Sequence, residues 1–457
     1  MDNIQISTEA LQIISSYEAY SYRIVPYTKN ADTITFYGDK SVDYSGTKDE
    51  LEILFGKNIV ITQIESSDFE TLINRNYRET ASNNNPVTDV KTINQGQGFL
   101  INLIEEAFNC YASDIHFEPY DERCRIRFRM DGQLIERYVV DKTDYPSLIN
   151  QIKIFANLDI SEKRLPQDGR IFFNKDDKKF DVRVSSLPTI YGEKIVLRLL
   201  TRHKELLDIE NLGFSEREIK DYKEAISNPH GLILITGPTG SGKSTTLYAT
   251  LRLLNKNVSN ILTIEDPVEY TLEGINQVQL KEDIGLSFGT ALRTFLRQDP
   301  DIIMVGEIRD GDTAQIAIRS ALTGHLILST IHTNSAWGSV SRLNDMGVHP
   351  YLISGTLVMC VAQRLVRLLC PHCKRMGEKY YEAVGCDKCY HTGYSGRKAI
   401  YEVIKIDKHL SDCIKKGDDD VSEYLKKNNI TTLSDSAMNL LDSGLTSLEE
   451  VLSIITK

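Results

Sequence analysis

Apolar positions change their spacing along this chain, and each change marks a candidate element. Residues 7–20 (STEALQIISSYEAY) carry apolar side chains at helical spacing, whereas YRIVPYT (22–28) and TITFYG (33–38) alternate as strands do. Residues 1–78 are therefore expected to form a small N-terminal α+β module. The run 79–97 has almost no apolar positions and is rich in Asn, Thr, Gly and Gln, which predicts a flexible linker. From Gly98 to His203 a helical segment (FLINLIEEAFNCYA) precedes alternating runs, RCRIRFRMDG, LIERYVV, GRIFFNK, KFDVRVSSLP and EKIVLRLL, with a second helix at YPSLINQIKIFANLD. Asp131-Gly132 and Asp176-Asp177 are the turn signals, so residues 98–203 predict an α+β domain of mostly antiparallel strands. From about Glu205 the pattern becomes continuously apolar in short runs, LILITG, ILTIEDPVEY, DIIMVGEIRD and HLILSTIHT, separated by helical stretches. Strands of that kind are buried on both faces, so residues 204–457 predict an α/β domain built on a parallel sheet.

The run ending at Ile235 enters GPTGSGKST (237–245), and the spacing Gly237-x-x-x-x-Gly242-Lys243-Ser244 sits between a predicted strand and a predicted helix. Gly237, Gly240 and Gly242 free the backbone to turn its N–H groups, with those of Thr239 and Ser241, around phosphate oxygens at a helix N-terminus, while Pro238, which has no N–H, belongs to the same nucleotide-binding turn. Lys243 is placed to reach the β- and γ-phosphates, the Ser244 hydroxyl to ligate Mg²⁺, and Thr245 to lie at the α-phosphate. ATP is the expected nucleotide.

Further strands end in chemistry suited to a phosphate. ILTIEDPVEY ends in Glu265, Asp266 and Glu269, DIIMVGEIRD in Glu307, and HLILSTIHTN in His332, with His325 at its start. Mg²⁺ needs oxygen ligands and an attacking water needs orientation. An Asp often precedes the second glutamate of such sites, but Gly306 stands here, leaving Glu307 to hold the ion through water. Glu269 is preferred over Glu265 as the base; each alone could also be a cap or a solvated loop residue. His332 is either a satisfied core histidine or a neutral imidazole that senses the γ-phosphate. Two arginine sets are candidates for the developing charge. Arg293 and Arg297 share a helix face; Arg170, Arg183, Arg127 and Arg129 lie in the preceding domain, either as a solvated strand face or as groups reaching the nucleotide from another domain or subunit.

Cys370, Cys373, Cys386 and Cys389 form C-x₂-C-x₁₂-C-x₂-C, a spacing that closes four thiolates around a structural Zn²⁺. His372 is read as a bystander, and Cys110, Cys124, Cys360 and Cys413 as small core hydrophobes. A net charge of −11 over 457 residues speaks against general attraction to nucleic acid or anionic lipid. No apolar run approaches the ~18 residues of a membrane span. The opening MDNIQISTEA lacks a signal layout, so a cytoplasmic protein is expected.

Taken together, GPTGSGKST, TIEDPVE (263–269), DPDIIMVGEIRD (299–310) and TGHLILSTIHTN (323–334) resemble the secretion ATPase superfamily, specifically the type IV pilus assembly and type II secretion ATPases. ASDIHFEP (112–119), RFRMDG, RLPQDGRI (164–171) and DVRVSSLPTIYGEKIVLRLL resemble that family's second, PAS-like domain. The resemblance implies a RecA-type core at 204–457 with a zinc module at 370–389, and a homohexamer in which the second domain of one subunit closes on the core of the next. It implies that Arg170 and Arg183 enter a neighbour's nucleotide site, and that Arg293, Arg297 and His325 belong to the nucleotide-binding set of the core. It also implies an inner-membrane platform protein as partner, with membrane contact only through partners. The tetracysteine favours the assembly and export branch over retraction motors. Residues 1–78 match one copy of the family's N-terminal module, without the arginine-leucine-glycine repeat that binds cyclic dinucleotide in some relatives. The rival is a nucleic-acid-stimulated motor, disfavoured by the acidic balance; 364–375 (RLVRLLCPHCKR) is the one dense basic stretch.

Overall fold

The computed structural model describes residues 6, 13, 14, 19, 20, 22–30, 33–55, 57–76, 98–175, 178–200 and 208–455. Most of the predicted helix 7–20, the whole predicted linker 79–97, the Asp176-Asp177 turn and the expected boundary near His203 lie outside those residues. Two compact units emerge, residues 1–89 and 90–457.

In the first unit, β1 (Ile24–Lys29) runs antiparallel to β2 (Thr33–Asp39), which pairs in parallel with β3 (Asn58–Ile64). A parallel neighbour requires a crossover, supplied here by α1 (Ser45–Phe55). After β3 comes α2 (Ser66–Asn76). Asp39, fully buried at the end of β2, accepts hydrogen bonds from Ser66, Ser41 and Arg23, which hold its carboxyl far below the usual range.

The second unit contains two sheets. The first is entirely antiparallel, in the order β6-β5-β4-β9-β8-β7, from β4 (Asp114–Pro119), β5 (Cys124–Met130), β6 (Gln133–Val140), β7 (Gln167–Lys175), β8 (Lys178–Thr189) and β9 (Gly192–Leu200). The β5–β6 turn is made by Asp131 and Gly132, both at positive φ (48° and 86°), the geometry that matches strand twist in a tight hairpin. Strict alternation in β5 sends Ile126 and Phe128 into a core shared with α3 (Phe99–Asn109) and α4 (Tyr145–Phe155), and turns Arg125, Arg127 and Arg129 to the other face.

The second sheet has seven strands in the order β12-β11-β13-β14-β10-β15-β18. These are β10 (Gly231–Thr236), β11 (Ile261–Glu265), β12 (Asn276–Gln279), β13 (Ile302–Val305), β14 (Leu326–Ile331), β15 (Leu357–Leu369) and β18 (Tyr394–Lys405). All pairings are parallel except β15–β18. Continuous burial along β10 has a simple cause: Leu232 and Leu234 enter one hydrophobic cluster and Ile233 and Ile235 the opposite one, so helices cover both faces. One layer includes α5 (Glu216–Ile226) and α6 (Lys243–Leu254); the other includes α7 (Phe288–Phe295), α8 (Gly311–Leu322), α9 (Gly338–Asp345) and α10 (Pro350–Thr356). Between β15 and β18 the chain makes a hairpin, β16 (Arg375–Met376) with β17 (Tyr381–Glu382), flanked on both sides by the cysteines. The chain then ends in α11 (Lys408–Lys416), α12 (Ser422–Lys427), α13 (Leu433–Asp442) and α14 (Leu448–Ile455).

Candidate functional site

Parallel strands deliver their carboxyl ends to one edge of the sheet, and that edge gathers most of the candidate chemistry. The loop between β10 and α6 turns on Gly237, Gly240 and Gly242, all at positive φ (149°, 81° and 90°). A Cβ on Gly237 would lie 2.5 Å from the Gln363 carbonyl, and one on Gly242 2.8 Å from the Gln363 amide, so these glycines are required by close approach as well as by dihedral. Lys243 donates to the loop's own carbonyls, Gly237 O at 2.7 Å and Pro238 O at 3.1 Å. Burial lowers its pKa, Glu307 raises it and Arg364 lowers it further. Ser241 Oγ is buried without a hydrogen-bond partner among the described residues. Ser244 and Thr245 open α6 beside it, with Ser244 exposed. A glycine cradle, an ammonium, an orphaned hydroxyl and oxygen donors suit a triphosphate and Mg²⁺.

Around this loop the carboxylates divide by environment. Glu265, at the end of β11, is buried and accepts from Tyr248, from Thr263 Oγ1 and from Gln277 Nε2 at 3.0 Å. Three donors fix this carboxylate in place, and burial together with Glu265 pushes the Tyr248 phenol well above its ordinary value. Glu269 is about a third exposed, and its backbone N–H donates to the same Tyr248 hydroxyl at 3.1 Å. Its carboxylate meets Arg183 of the six-stranded sheet, Nη1 to Oε2 3.3 Å, and Arg183 also donates to the Val268 carbonyl. Glu307 follows β13, pairs with Arg309, and lies 3.4 Å from His332 Nε2. Arg309 also holds Asp266 at 3.0 Å, linking two acidic strand ends. Gly306 packs closely, with a Cβ there 3.2 Å from Ile264 O, so a side chain in front of Glu307 would crowd the β11 backbone.

Several sequence candidates fall elsewhere. His325 precedes β14, so it sits at the amino edge of the sheet, opposite the phosphate loop, with Nδ1 2.9 Å from Ser320 O. Arg293 and Arg297 lie on and just after α7; Arg297 donates to Arg293 O at 3.0 Å, Arg293 is 3.9 Å from Asp312, and both side chains are exposed. Arg170 is the cross-strand partner of Arg183 but is exposed. Arg127 grips Glu118 with two bonds of 2.8 and 2.9 Å, and Arg129 lies 3.6 Å from Asp114, so both serve ion pairs within their own sheet. The basic stretch 364–375 opens inside β15, where Arg367 is held by Glu450 and stacks over Tyr394. Pattern reading overlooked Tyr248, Gln363, Arg364 and Arg309, because each lies in an ordinary helix, strand or loop and acquires its role only by contact. The loop-forming motif itself gave no signal for them.

The four cysteines converge, with sulfur atoms all within 4.8 Å of one another and neighbouring pairs at 3.7, 3.8 and 3.9 Å. A tetrahedron with metal–sulfur bonds of about 2.3 Å has edges of about 3.8 Å, so the set fits Zn²⁺. The backbone N–H groups of Cys386 and Gly393 donate to Cys389 Sγ at 3.2 and 3.3 Å, the outer support such a thiolate needs. Cys124 and Cys360 are core residues as expected, whereas Cys413 is only half-buried, and half-buried Cys110 places its sulfur 3.0 Å from the Tyr390 hydroxyl. Tyr390 follows the cysteine knuckle and also lies under the Arg137 guanidinium, while Asp131 accepts from Gly396 N at 2.8 Å. The cysteine-bearing segment thus touches the six-stranded sheet.

Residues 94–453 match the family model described as type II/IV secretion system protein. The chain is 46% identical over 373 residues to type II secretion system protein E of Dickeya dadantii, covering 78% of this chain and 75% of that protein. It is 47% identical over 376 residues to the type IV pilus assembly ATPase PilB of Myxococcus xanthus, covering 77% and 66%. Among solved structures it is similar to the pilus retraction motor PilT with bound ADP, at 26% identity and a TM-score of 0.56, covering 78% of this chain and 96% of that one. The Legionella pneumophila ATPase DotB shares the fold at 23% identity, with a TM-score of 0.61 and coverage of 78% and 95%.

Proposed function

Because this chain belongs to the type II/IV secretion system protein family and is an ATP hydrolase, we propose that it works as a homohexamer whose ATP cycle drives assembly of a type IV pilus or pseudopilus at the inner membrane. The observation that carries the proposal is the meeting of Arg183 with Glu269, a contact within one chain rather than the expected reach into a neighbour's site, which makes the edge of the nucleotide site a junction between two domains whose opening would free Arg183 for an adjoining subunit. Any motion that opens this junction changes the charge facing the triphosphate.

In this mechanism the loop 237–245 holds the phosphates, with Lys243 leaving the Gly237 and Pro238 carbonyls for phosphate oxygens. Mg²⁺ held by Ser244, and by Glu307 through water, would neutralise charge between the β- and γ-phosphates. Glu269 orients or deprotonates the attacking water, because Glu265 is committed to three donors while Glu269 has one exposed flank. His332, close to Glu307, reports whether the γ-phosphate is attached. Arg183 and Arg170 supply guanidinium charge, Arg293 and Arg297 supplement it once subunits pack, and loss of phosphate releases the domain contact. The resulting movement is transmitted to an inner-membrane platform protein that adds filament subunits, with the protein held on the cytoplasmic side through that partner. The zinc module keeps its hairpin in shape at the other contact between the domains.

The test is specific ATPase activity as a function of protein concentration, with the hexamer fraction followed by sedimentation in parallel. Activity that rises with the hexamer fraction is expected. Full activity in a strictly monomeric preparation would overturn the proposal.

A further inference from the structure

The segment that leaves His332, residues 333–337, is gripped from three strands. From β10, Thr236 Oγ1 accepts from Thr333 N at 2.7 Å. From β15, Arg364 Nη2 donates to Asn334 O at 2.8 Å. From β18, the buried Glu402 accepts from Ala336 N at 2.8 Å. Burial raises the Glu402 pKa and lowers that of Arg364, and the charge of each favours ionisation of the other.

Thr236 ends β10 immediately before the phosphate loop and ties Thr333 to it directly, and Arg364 adds a side-chain brace between the segment and the same loop. Its Nη1 donates to Gln363 O at 3.0 Å, and both atoms lie against Gly237, where a Cβ would stand 3.0 Å from Nη1 and 2.5 Å from that carbonyl. Its charge is felt by Lys243. The neighbouring Gln363 side chain accepts from Thr246 Oγ1 at 2.9 Å, on the first turn of α6. One half-buried guanidinium, held by Gln363 O and packed against Gly237, therefore stands between the outgoing end of β10 and the segment following His332.

We propose that Arg364 is a positioning residue for hydrolysis: it braces the His332 segment against the phosphate loop, so that the imidazole follows the loop when a triphosphate is bound. This rests on the reading of His332 as acting at the phosphate. A planar fork with donors on two sides suits the task; an ammonium is a single point and cannot hold both carbonyls at once. Arg364 packs beside Gly237 without bonding the loop and is remote from the reacting atoms, so its loss should leave nucleotide affinity nearly intact while catalysis suffers.

The experiment is a double-mutant cycle on the assembled protein, using Arg364→Ala, His332→Ala and the pair, with kcat, KM for ATP and melting temperature measured for each. Loss of a charged hydrogen bond that acts only through geometry predicts a fall in kcat of about tenfold to a hundredfold, with KM within about threefold. If Arg364 acts through His332, the pair loses no more than the worse single variant. Multiplying losses, an unchanged kcat in either single variant, or a rise in KM at constant kcat would each overturn the proposal. Should Arg364→Ala fail to fold, Arg364→Lys keeps the stem and the charge, and the same coupled loss is expected of it. Dependence of activity on hexamer fraction is measured separately, so failure here leaves the proposed motor function standing.

Discussion

Arg183→Ala separates two roles of very different size. In the structure Arg183 is an interdomain clamp: its guanidinium lies 3.3 Å from Glu269 and donates to Val268 O, with about a fifth of its side chain and a third of that of Glu269 exposed. An ion pair so open to water is worth about 0.2–1 kcal/mol. If clamping were its whole contribution, turnover would fall by less than about fivefold. A guanidinium that moves onto the transferring phosphoryl group is worth ~10³–10⁵ in rate. The catalytic proposal therefore predicts a loss of at least about a thousandfold in kcat, with ADP affinity nearly unchanged because the phosphate loop is untouched. Steady-state ATP hydrolysis, ADP binding by calorimetry and melting temperature suffice to decide. A loss below about fivefold, or one matched by weakened ADP binding, would refute the assignment of Arg183 to the reaction.

Lys243→Ala removes the ammonium from the phosphate loop, and both nucleotide binding and hydrolysis should fall below detection in filter-binding and phosphate-release assays. Tyr248→Phe takes one of three donors from the buried Glu265 and the acceptor from Glu269 N; a loss of about 1.5–3 kcal/mol in unfolding free energy is expected, with reduced turnover, whereas a neutral result would refute the role of Tyr248 in holding the two strand-end residues. Cys386→Ser should lower zinc from about one ion per chain to a small fraction by elemental analysis and lower the melting temperature, since three thiolates do not close a tetrahedron. Glu118 is buried, which raises its pKa, but Arg127, Lys194 and Arg125 more than reverse this and hold it at about 2 against an ordinary 4.5. Its contribution is therefore complete above pH 4.5 and lost as pH falls toward 2. The stability gap between wild type and Glu118→Gln, about 2 kcal/mol at neutral pH after allowance for solvent around the arginines, should close over that window; a gap independent of pH would contradict the assignment.

Periodicity located most strands of both large sheets, though not β4, β12, β15 or β18, because burial writes itself directly into side-chain type. Ile233 and Leu234 face opposite clusters, which makes a run apolar throughout, while Phe128 and Arg129 face core and surface, which makes a run alternate. The phosphate loop was legible for a related reason: it is local, and its glycines, Lys243 and Ser244 work within nine consecutive residues. The cysteine set was equally legible from spacing alone. Sequence gives a strand but not which of its ends faces the ligand, so it could not tell that His325, which precedes β14, lies at the edge of the sheet opposite the phosphate loop. The arginines were ambiguous on the same grounds. Arg127, Arg129 and Arg183 look alike on alternating strands, yet two are spent on Glu118 and Asp114 and one crosses to Glu269.

Sequence by itself determined the local chemistry: a loop able to cradle phosphates, acidic strand ends, four thiols for a metal, and a parallel sheet to carry them. Tertiary structure decided the division of labour, separating a saturated Glu265 from a half-free Glu269 and bringing Gln363 and Arg364 beneath the phosphate loop from more than a hundred residues away. The physical reason is that backbone geometry and side-chain type act over a few neighbouring residues, whereas ion pairing and hydrogen-bond saturation depend on which distant strands the packed core places side by side.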